Sequence, residues 1–238
     1  MPLLDLTSLR GAALDALAVF APTTCSGCGL DDRALCEPCA AALQPDVTAV
    51  AVGDERTLVV HCGLRYQGVA RRVLLAVKES GRTDAAPALA RAARAAVAGA
   101  LHTCERAGGT ADRHPAAMVL RGRVELATIP STRAAFRVRG YHPTELVLAH
   151  AGLRASHPLR AARQTLDQAA LGIDARSANR DGSLRARRTL SGRIFILVDD
   201  ILTTGATLRE ARRAIEAAGG VVLAAAVLAN TERRQSLR

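Results

Sequence analysis

A chain of 238 residues, 49% of them hydrophobic and with a formal net charge of +10, can fold as one large domain or as an ordinary domain with a small appendage. Aromatics are only 2% and tryptophan is absent, so the core must be built from Ala, Val, Leu and Ile, with little aromatic surface for stacking nucleic-acid bases. The charge favours an anionic partner such as nucleic acid, nucleotide or phosphate, yet Lys78 is the only lysine among 32 basic residues, so any single arginine is weak evidence of a role.

Leu6, Leu9, Ala13, Leu14 and Leu17 recur at helical spacing and predict an amphipathic helix, while Asp5, Arg10 and Asp15 divide the run too finely for a signal-peptide core. No segment approaches the ~20 apolar residues that span a bilayer; the expectation is a cytoplasmic protein without membrane insertion. Next come Cys25, Cys28, Cys36 and Cys39, two CxxC turns at short separation. Each turn lets two thiolates reach one ion, and the pair completes a tetrahedral four-thiolate site with no open position, which suits structural zinc. Disulfides or a redox CxxC are the competing readings; the first fits poorly with a cytoplasmic chain and the second with a doubled motif. Cys62 and Cys104 have no matching partner and read as buried small residues.

A second helix is expected from Glu37 to Leu43, stopped by Pro45, and composition changes near Gly53 and Asp54. The expected organisation is therefore an N-terminal helix and zinc-binding module over 1–52 and a larger domain over 53–238. In the latter, a strand-like run from Thr57 precedes helices Val69 to Lys78 and Pro87 to Leu101, then a Gly- and charge-rich loop from Thr103 to Pro115. Val124 to Ile129 is an apolar strand closed by Pro130 and Ser131, and Tyr141 to Leu153 has a helical pattern. Residues 160–190 alternate Arg with small polar residues and predict a long mobile loop, a kind that is usually functional or disordered. Ile194 to Val198 is a β-branched and aromatic run short enough for a strand buried on both faces. A helix from Thr207 to Ala218, ended by Gly219 and Gly220, and a strand from Val221 to Leu228 complete a strand–loop–helix–strand unit. The fold class is α/β, a mainly parallel sheet flanked by helices.

Chemistry is concentrated at the end of the Ile194 to Val198 strand. Asp199 and Asp200 fall at a strand's carboxyl end, where open α/β sheets bind ligands. Paired carboxylates there accept hydrogen bonds from vicinal hydroxyls or help hold a divalent cation that bridges to phosphate. Thr203, Thr204, Gly205, Ala206 and Thr207 follow with hydroxyl donors, small side chains and backbone N–H groups at a helix start, a cradle for an anion. Acidic contacts followed by a neutral cradle suit a ribose 5-phosphate. Neither Gly-Lys-Ser/Thr nor a Gly-x-Gly-x-x-Gly after a strand is present, which argues against a P-loop and a dinucleotide fold.

This run resembles the signature of the type I phosphoribosyltransferases, an apolar strand, two acidic residues and a Thr/Gly-rich loop. The resemblance implies that fold, ribose hydroxyls on Asp199 and Asp200, the 5-phosphate on residues 203–207, and Mg²⁺ arriving with phosphoribosyl pyrophosphate. Purine-salvage members hold an Asp at the position of Thr203, so the resemblance argues against a hypoxanthine–guanine enzyme. With the four cysteines, the chain is similar to the ComF family of competence-associated proteins. Supporting blocks are Tyr66 and Gly68 through Lys78, Gly81 and Arg82; Pro130, Ser131 and Arg133 onward to Arg139, Gly140 and Tyr141; and Arg163, Thr165, Gln168, Leu171, Arg176 and Asn179. The resemblance implies a pyrophosphate loop containing Ser131, Arg133 and Arg139, and a flexible loop containing Arg163, Gln168, Arg176 and Asn179. Where that family favours Asn after Arg-Gly-aromatic, this chain has His142.

The expected function is phosphoribosyl transfer to an unidentified acceptor, with a link to natural competence, DNA uptake and single-stranded DNA. The alternatives are a phosphoribosyl-pyrophosphate sensor or an adaptor for DNA or a helicase, and a nucleotide-salvage enzyme. No catalytic base and no acceptor pocket are identifiable from the residues alone.

Overall fold

The computed structural model describes residues 23–31, 33–53, 57–108, 124–162 and 182–231. The expected first helix lies outside them; of the Gly- and charge-rich loop expected from Thr103 to Pro115, residues 103–108 instead continue the helix Ala86–Gly108, and the rest lies outside the described residues. Among the described residues the helices are α1 (Glu37–Ala41), α2 (Gly68–Glu79), α3 (Ala86–Gly108), α4 (Arg133–Arg139), α5 (Pro143–His150) and α6 (Ala206–Glu216). The strands are β1 (Thr48–Val52), β2 (Leu58–Arg65), β3 (Val124–Thr128), β4 (Ala155–Ser156), β5 (Leu159–Ala161), β6 (Leu184–Ala186), β7 (Ile194–Leu202) and β8 (Val221–Asn230). No helix among the described residues is long and apolar enough to cross a membrane.

Six strands form one sheet in the order β1-β2-β8-β7-β3-β4, parallel throughout except for the antiparallel β1–β2 edge pair. The central strands β7 and β8 are apolar along most of their length because both of their faces are covered. On one face Phe195, Leu197, Ala225 and Val227 meet Leu208, Ala211, Ala214 and Ile215 of α6. On the other, Ile196, Val198, Ala224 and Ala226 meet α3 and Leu148 of α5. Residues 48–52 precede the composition change near Gly53 yet pair with β2 over the register Thr48↔Cys62 to Val52↔Leu58.

Alanine sets the spacing of these layers. The buried stripe of α3 is Leu89, Ala92, Ala93, Ala96, Val97 and Ala100, the i, i+3, i+4 pattern of a helix laid on a core. Its short side chains bring the helix so close to β2 that a Cβ at Gly63 would stand 2.5 Å from the Ala92 carbonyl oxygen. A core nearly without aromatics is thus filled by close approach of backbones, which keeps interior density high.

The segment expected to be one long loop begins and ends in a two-stranded antiparallel ribbon, β5–β6, with Leu159↔Ala186 and Ala161↔Leu184 in register. Glu210 fastens this ribbon to α6. It is buried, accepts the Leu184 amide at 2.8 Å, and takes Arg213 Nε at 2.6 Å. Burial by itself raises the Glu210 pKa, but the hydrogen bonds from Arg213 and the Leu184 amide outweigh it and hold the carboxyl below its usual range. The stabilisation is therefore complete at neutral pH and is lost as pH falls through that depressed value. Glu210→Ala leaves a buried amide unpaired and should cost about 3 kcal/mol, lowering Tm by about 6–12 °C at pH 7 by calorimetry. The gap between variant and parent should shrink below about pH 4.

Candidate functional site

The chain leaves β7 through α6 on one face of the sheet and reaches β8; it leaves β3 through α5 on the opposite face and reaches β4. The carboxyl ends of β7 and β3 therefore flank the point where strand order reverses, the position at which open α/β sheets form a ligand crevice.

One wall of the crevice holds Asp199, Asp200 and residues 203–207. Asp199 Oδ1 accepts the Asp200 amide at 2.9 Å and Asp200 Oδ1 accepts the Ile201 amide at 2.7 Å, so both carboxylates are oriented by their own backbone. Thr203, Thr204 and Gly205 form the turn, and Ala206 and Thr207 open α6. Gly205 is the helix N-cap at φ 73°, a left-handed conformation that side-chain-bearing residues avoid, and the Val52 side chain occupies the space a Cβ would need. The first-turn amides of α6 are thereby presented at the sheet edge, with the Ala206 amide 3.3 Å from Thr204 Oγ1.

Lys78 enters the site from α2. Its Nζ lies 2.6 Å from Asp200 Oδ2, with side chains 30% and 17% exposed, too enclosed for an ordinary surface pair. The Tyr141 hydroxyl donates to the Val77 carbonyl and fastens the last turn of α2 to the segment after α4. Lys78 is not among the expected site residues; its being the one lysine in an arginine-biased chain is the signal that could have marked it.

The opposite wall follows β3. Ser131 Oγ is 3.2 Å from His142 Nδ1, and His142 stacks on Phe136 with ring centroids 4.7 Å apart. Thr132 caps α4 through the Ala135 amide at 3.1 Å; Arg133 begins that helix and Arg139 ends it. Behind Ser131, buried Thr128 reaches Glu145 Oε1 at 3.2 Å and His157 Nδ1 at 3.4 Å. Neither Glu145 nor His157 stands out in the sequence, because a lone Glu on a helix and a lone His after a short strand carry no pattern. Arg163, Gln168, Arg176 and Asn179 lie outside the described residues.

Cys25, Cys28, Cys36 and Cys39 come together with all four sulfurs within 4.8 Å of one another. The Cys25–Cys36 and Cys28–Cys36 sulfur separations are both 3.6 Å, against about 3.8 Å for two thiolates on one tetrahedral zinc. The Gly27 and Cys36 amides donate to Cys25 Sγ at 3.4 and 3.3 Å. Burial opposes the thiolate, but these amides outweigh it and bring the Cys25 thiol down to about 6, while burial and its sulfur neighbours push Cys39 up to about 12. Four sulfurs at metal-ligand spacing with N–H donors to one of them fit a single zinc ion. The cluster packs on α2 through Val69, and Arg72 donates to the Gly27 carbonyl.

A family model described as "Phosphoribosyl transferase domain" matches residues 148–238. Two curated relatives are both orotate phosphoribosyltransferases. The one from Rhizorhabdus wittichii is 46% identical over 63 residues, covering 25% of this chain and 32% of that protein. The one from Novosphingobium aromaticivorans is 44% identical over 63 residues, with the same shares. The chain thus spans about a third of the length of the curated relatives it matches. Sheet order and matched segment together define the carboxy-terminal part as a phosphoribosyltransferase-type domain, with a four-cysteine cluster near the amino terminus.

Two glycines separate backbone strain from side-chain crowding. Gly192→Ala, at φ 74° with open space around it, should lose only about 1 kcal/mol for left-handed backbone. Gly205→Ala also collides with Val52 and should cost at least about 2 kcal/mol, a further drop in Tm of about 2–4 °C by differential scanning calorimetry.

Proposed function

We propose that the protein binds phosphoribosyl pyrophosphate with Mg²⁺ in the crevice between β7 and β3 and transfers ribose 5-phosphate to an acceptor. The supporting observation is the placement of Asp199, Asp200 and the Gly205-capped helix start at the strand-order reversal. In this reading Asp199 and Asp200 take the ribose hydroxyls, and Thr203, Thr204, Gly205, Ala206 and Thr207 take the 5-phosphate at the positive end of α6. Ser131, Arg133 and Arg139 serve the pyrophosphate, and Arg163, Gln168, Arg176 and Asn179 close over it. Mg²⁺ supplies charge neutralisation between pyrophosphate and carboxylates when bound. Lys78, by neutralising Asp200, lowers the repulsion an incoming polyanion meets.

The resemblance to the ComF family supports placing this activity in natural competence and the handling of single-stranded DNA in the cytoplasm, with DNA or a helicase as partner. The names of the relatives put orotate among the first acceptors to test. A sensor that binds without turnover is separated from an enzyme by pyrophosphate release. Calorimetry with phosphoribosyl pyrophosphate and Mg²⁺ should give binding that Asp199→Asn plus Asp200→Asn weakens at least about 100-fold, two charge-assisted hydrogen-bonding groups being lost. Unchanged affinity in that variant sinks the site assignment.

We further propose that the four-cysteine cluster holds structural zinc. Elemental analysis of purified protein should find about one zinc per chain, and Cys28→Ser should abolish it and lower Tm, because the metal's binding energy is folding energy. A metal-free protein of unchanged Tm would falsify this assignment.

A further inference from the structure

We infer that His157, oriented by Glu145, is the base that activates the acceptor, and that the acceptor is a small nitrogen nucleophile carrying an anionic group. This rests on the transferase reading above. The sheet register places the pair. Thr128 is level with Val198 on β7, and the β3–β4 pairing, ending at Ala127↔Ser156, puts His157 level with Thr128. At about 4.8 Å between strands, His157 starts about 10 Å across the sheet from Val198, the residue before the acidic pair.

The three side chains form one network. His157 Nδ1 lies 3.3 Å from Glu145 Oε1, and both meet the buried Thr128 hydroxyl. The Glu145 carboxylate beside Nδ1 favours the tautomer that carries its proton there, which leaves the Nε2 lone pair to accept another. No described residue bonds to Nε2, and the His157 side chain is 55% exposed.

His157 and Arg187 line two neighbouring cavities. One, of about 200 Å³, contains Thr128, Pro130, His142 and Glu145 beside the expected pyrophosphate loop. The other, of about 490 Å³, contains Ser156, Arg188 and Arg193. Glu125 binds Arg193 through two contacts of 2.6 and 2.7 Å and neutralises it. Arg187 donates from Nε to the Leu159 carbonyl, and neither Arg187 nor Arg188 has an ion pair among the described residues. Among the described residues the pocket beside the base therefore offers two guanidiniums without a close ion pair, Arg188 lying within the field of the Glu125 carboxylate, and they match a carboxylate or phosphate on the acceptor. In the reaction the acceptor nitrogen forms a bond to C1 of the ribose, and the C1–oxygen bond to pyrophosphate breaks, its electron pair leaving with pyrophosphate. The nitrogen's proton passes to His157 Nε2 and then to solvent.

The test uses the full chain with Mg²⁺ and phosphoribosyl pyrophosphate, measuring pyrophosphate release with orotate and with uracil, the same ring lacking the carboxylate. Wild type should turn over orotate at least about tenfold faster than uracil. His157→Ala should lower kcat at least about 100-fold, the usual contribution of a general base, while its Kd for phosphoribosyl pyrophosphate stays within about threefold. Imidazole should restore part of that loss. Glu145→Gln should lower kcat with KM unchanged, as expected for a positioning residue, and His157→Gln supplies a second variant if the alanine protein fails to fold by circular dichroism. A His157 variant within about threefold of wild type overturns the base assignment, and uracil equal to orotate overturns the anionic half. Bound phosphoribosyl pyrophosphate with no release from either acceptor also overturns the inference, whereas wild type that binds no phosphoribosyl pyrophosphate defeats the underlying site reading instead.

Discussion

The ion pair between Lys78 and Asp200 joins the end of β7 to the last turn of α2, two segments that the sheet alone does not bring together. Asp200 is placed by β7 and Lys78 by the last turn of α2, and their charged atoms stand 2.6 Å apart in a partly enclosed setting. Broken on one side, such a pair leaves a charge with little water to replace its partner. Helix α2 is also held elsewhere: Tyr141 bonds to the Val77 carbonyl, and at the opposite end Val69 and Arg72 meet the cysteine module. The cysteines, the segment after α4 and the acidic pair, scattered along the chain, thus converge on one helix of 12 residues.

Close packing of small side chains makes that convergence possible. Buried alanines on α3 allow it to lie against β2 and β8, and α3 in turn supports α2 and α5 through Leu89, Ala92 and Ala93. Where other layered proteins fill space with rings, this chain draws its backbones together, so positional tolerance in the core is small.

Legibility in the sequence followed the periodicity of burial. β7, α6 and β8 were plain because a strand covered on both faces is apolar throughout and α6 shows a helical stripe ended by glycines. The four cysteines were plain because their spacing is set by ligand geometry. β1 was hidden: at the sheet edge its burial alternates weakly, and it precedes the composition change that suggested a boundary. α4, with Val138 exposed and arginines at intervals, has no apolar stripe to betray it. The β5–β6 ribbon is three residues per strand, too short for alternation to register. The Thr128–Glu145–His157 network joins residues 17 and 29 positions apart, and only the β3–β4 register brings them together.

The edge strand β1 has a consequence for how separable the parts of this protein are. It follows the cysteine segment directly, pairs with β2, and ends with Val52 pressed against Gly205. The wall behind the Thr/Gly turn is thus supplied from before the composition change near Gly53. A transplant that took only the carboxy-terminal two-thirds of the chain would carry the acidic pair and the Thr/Gly turn, yet leave that turn unsupported on one side. The strand that directly follows the cysteine segment is also the strand that backs the turn.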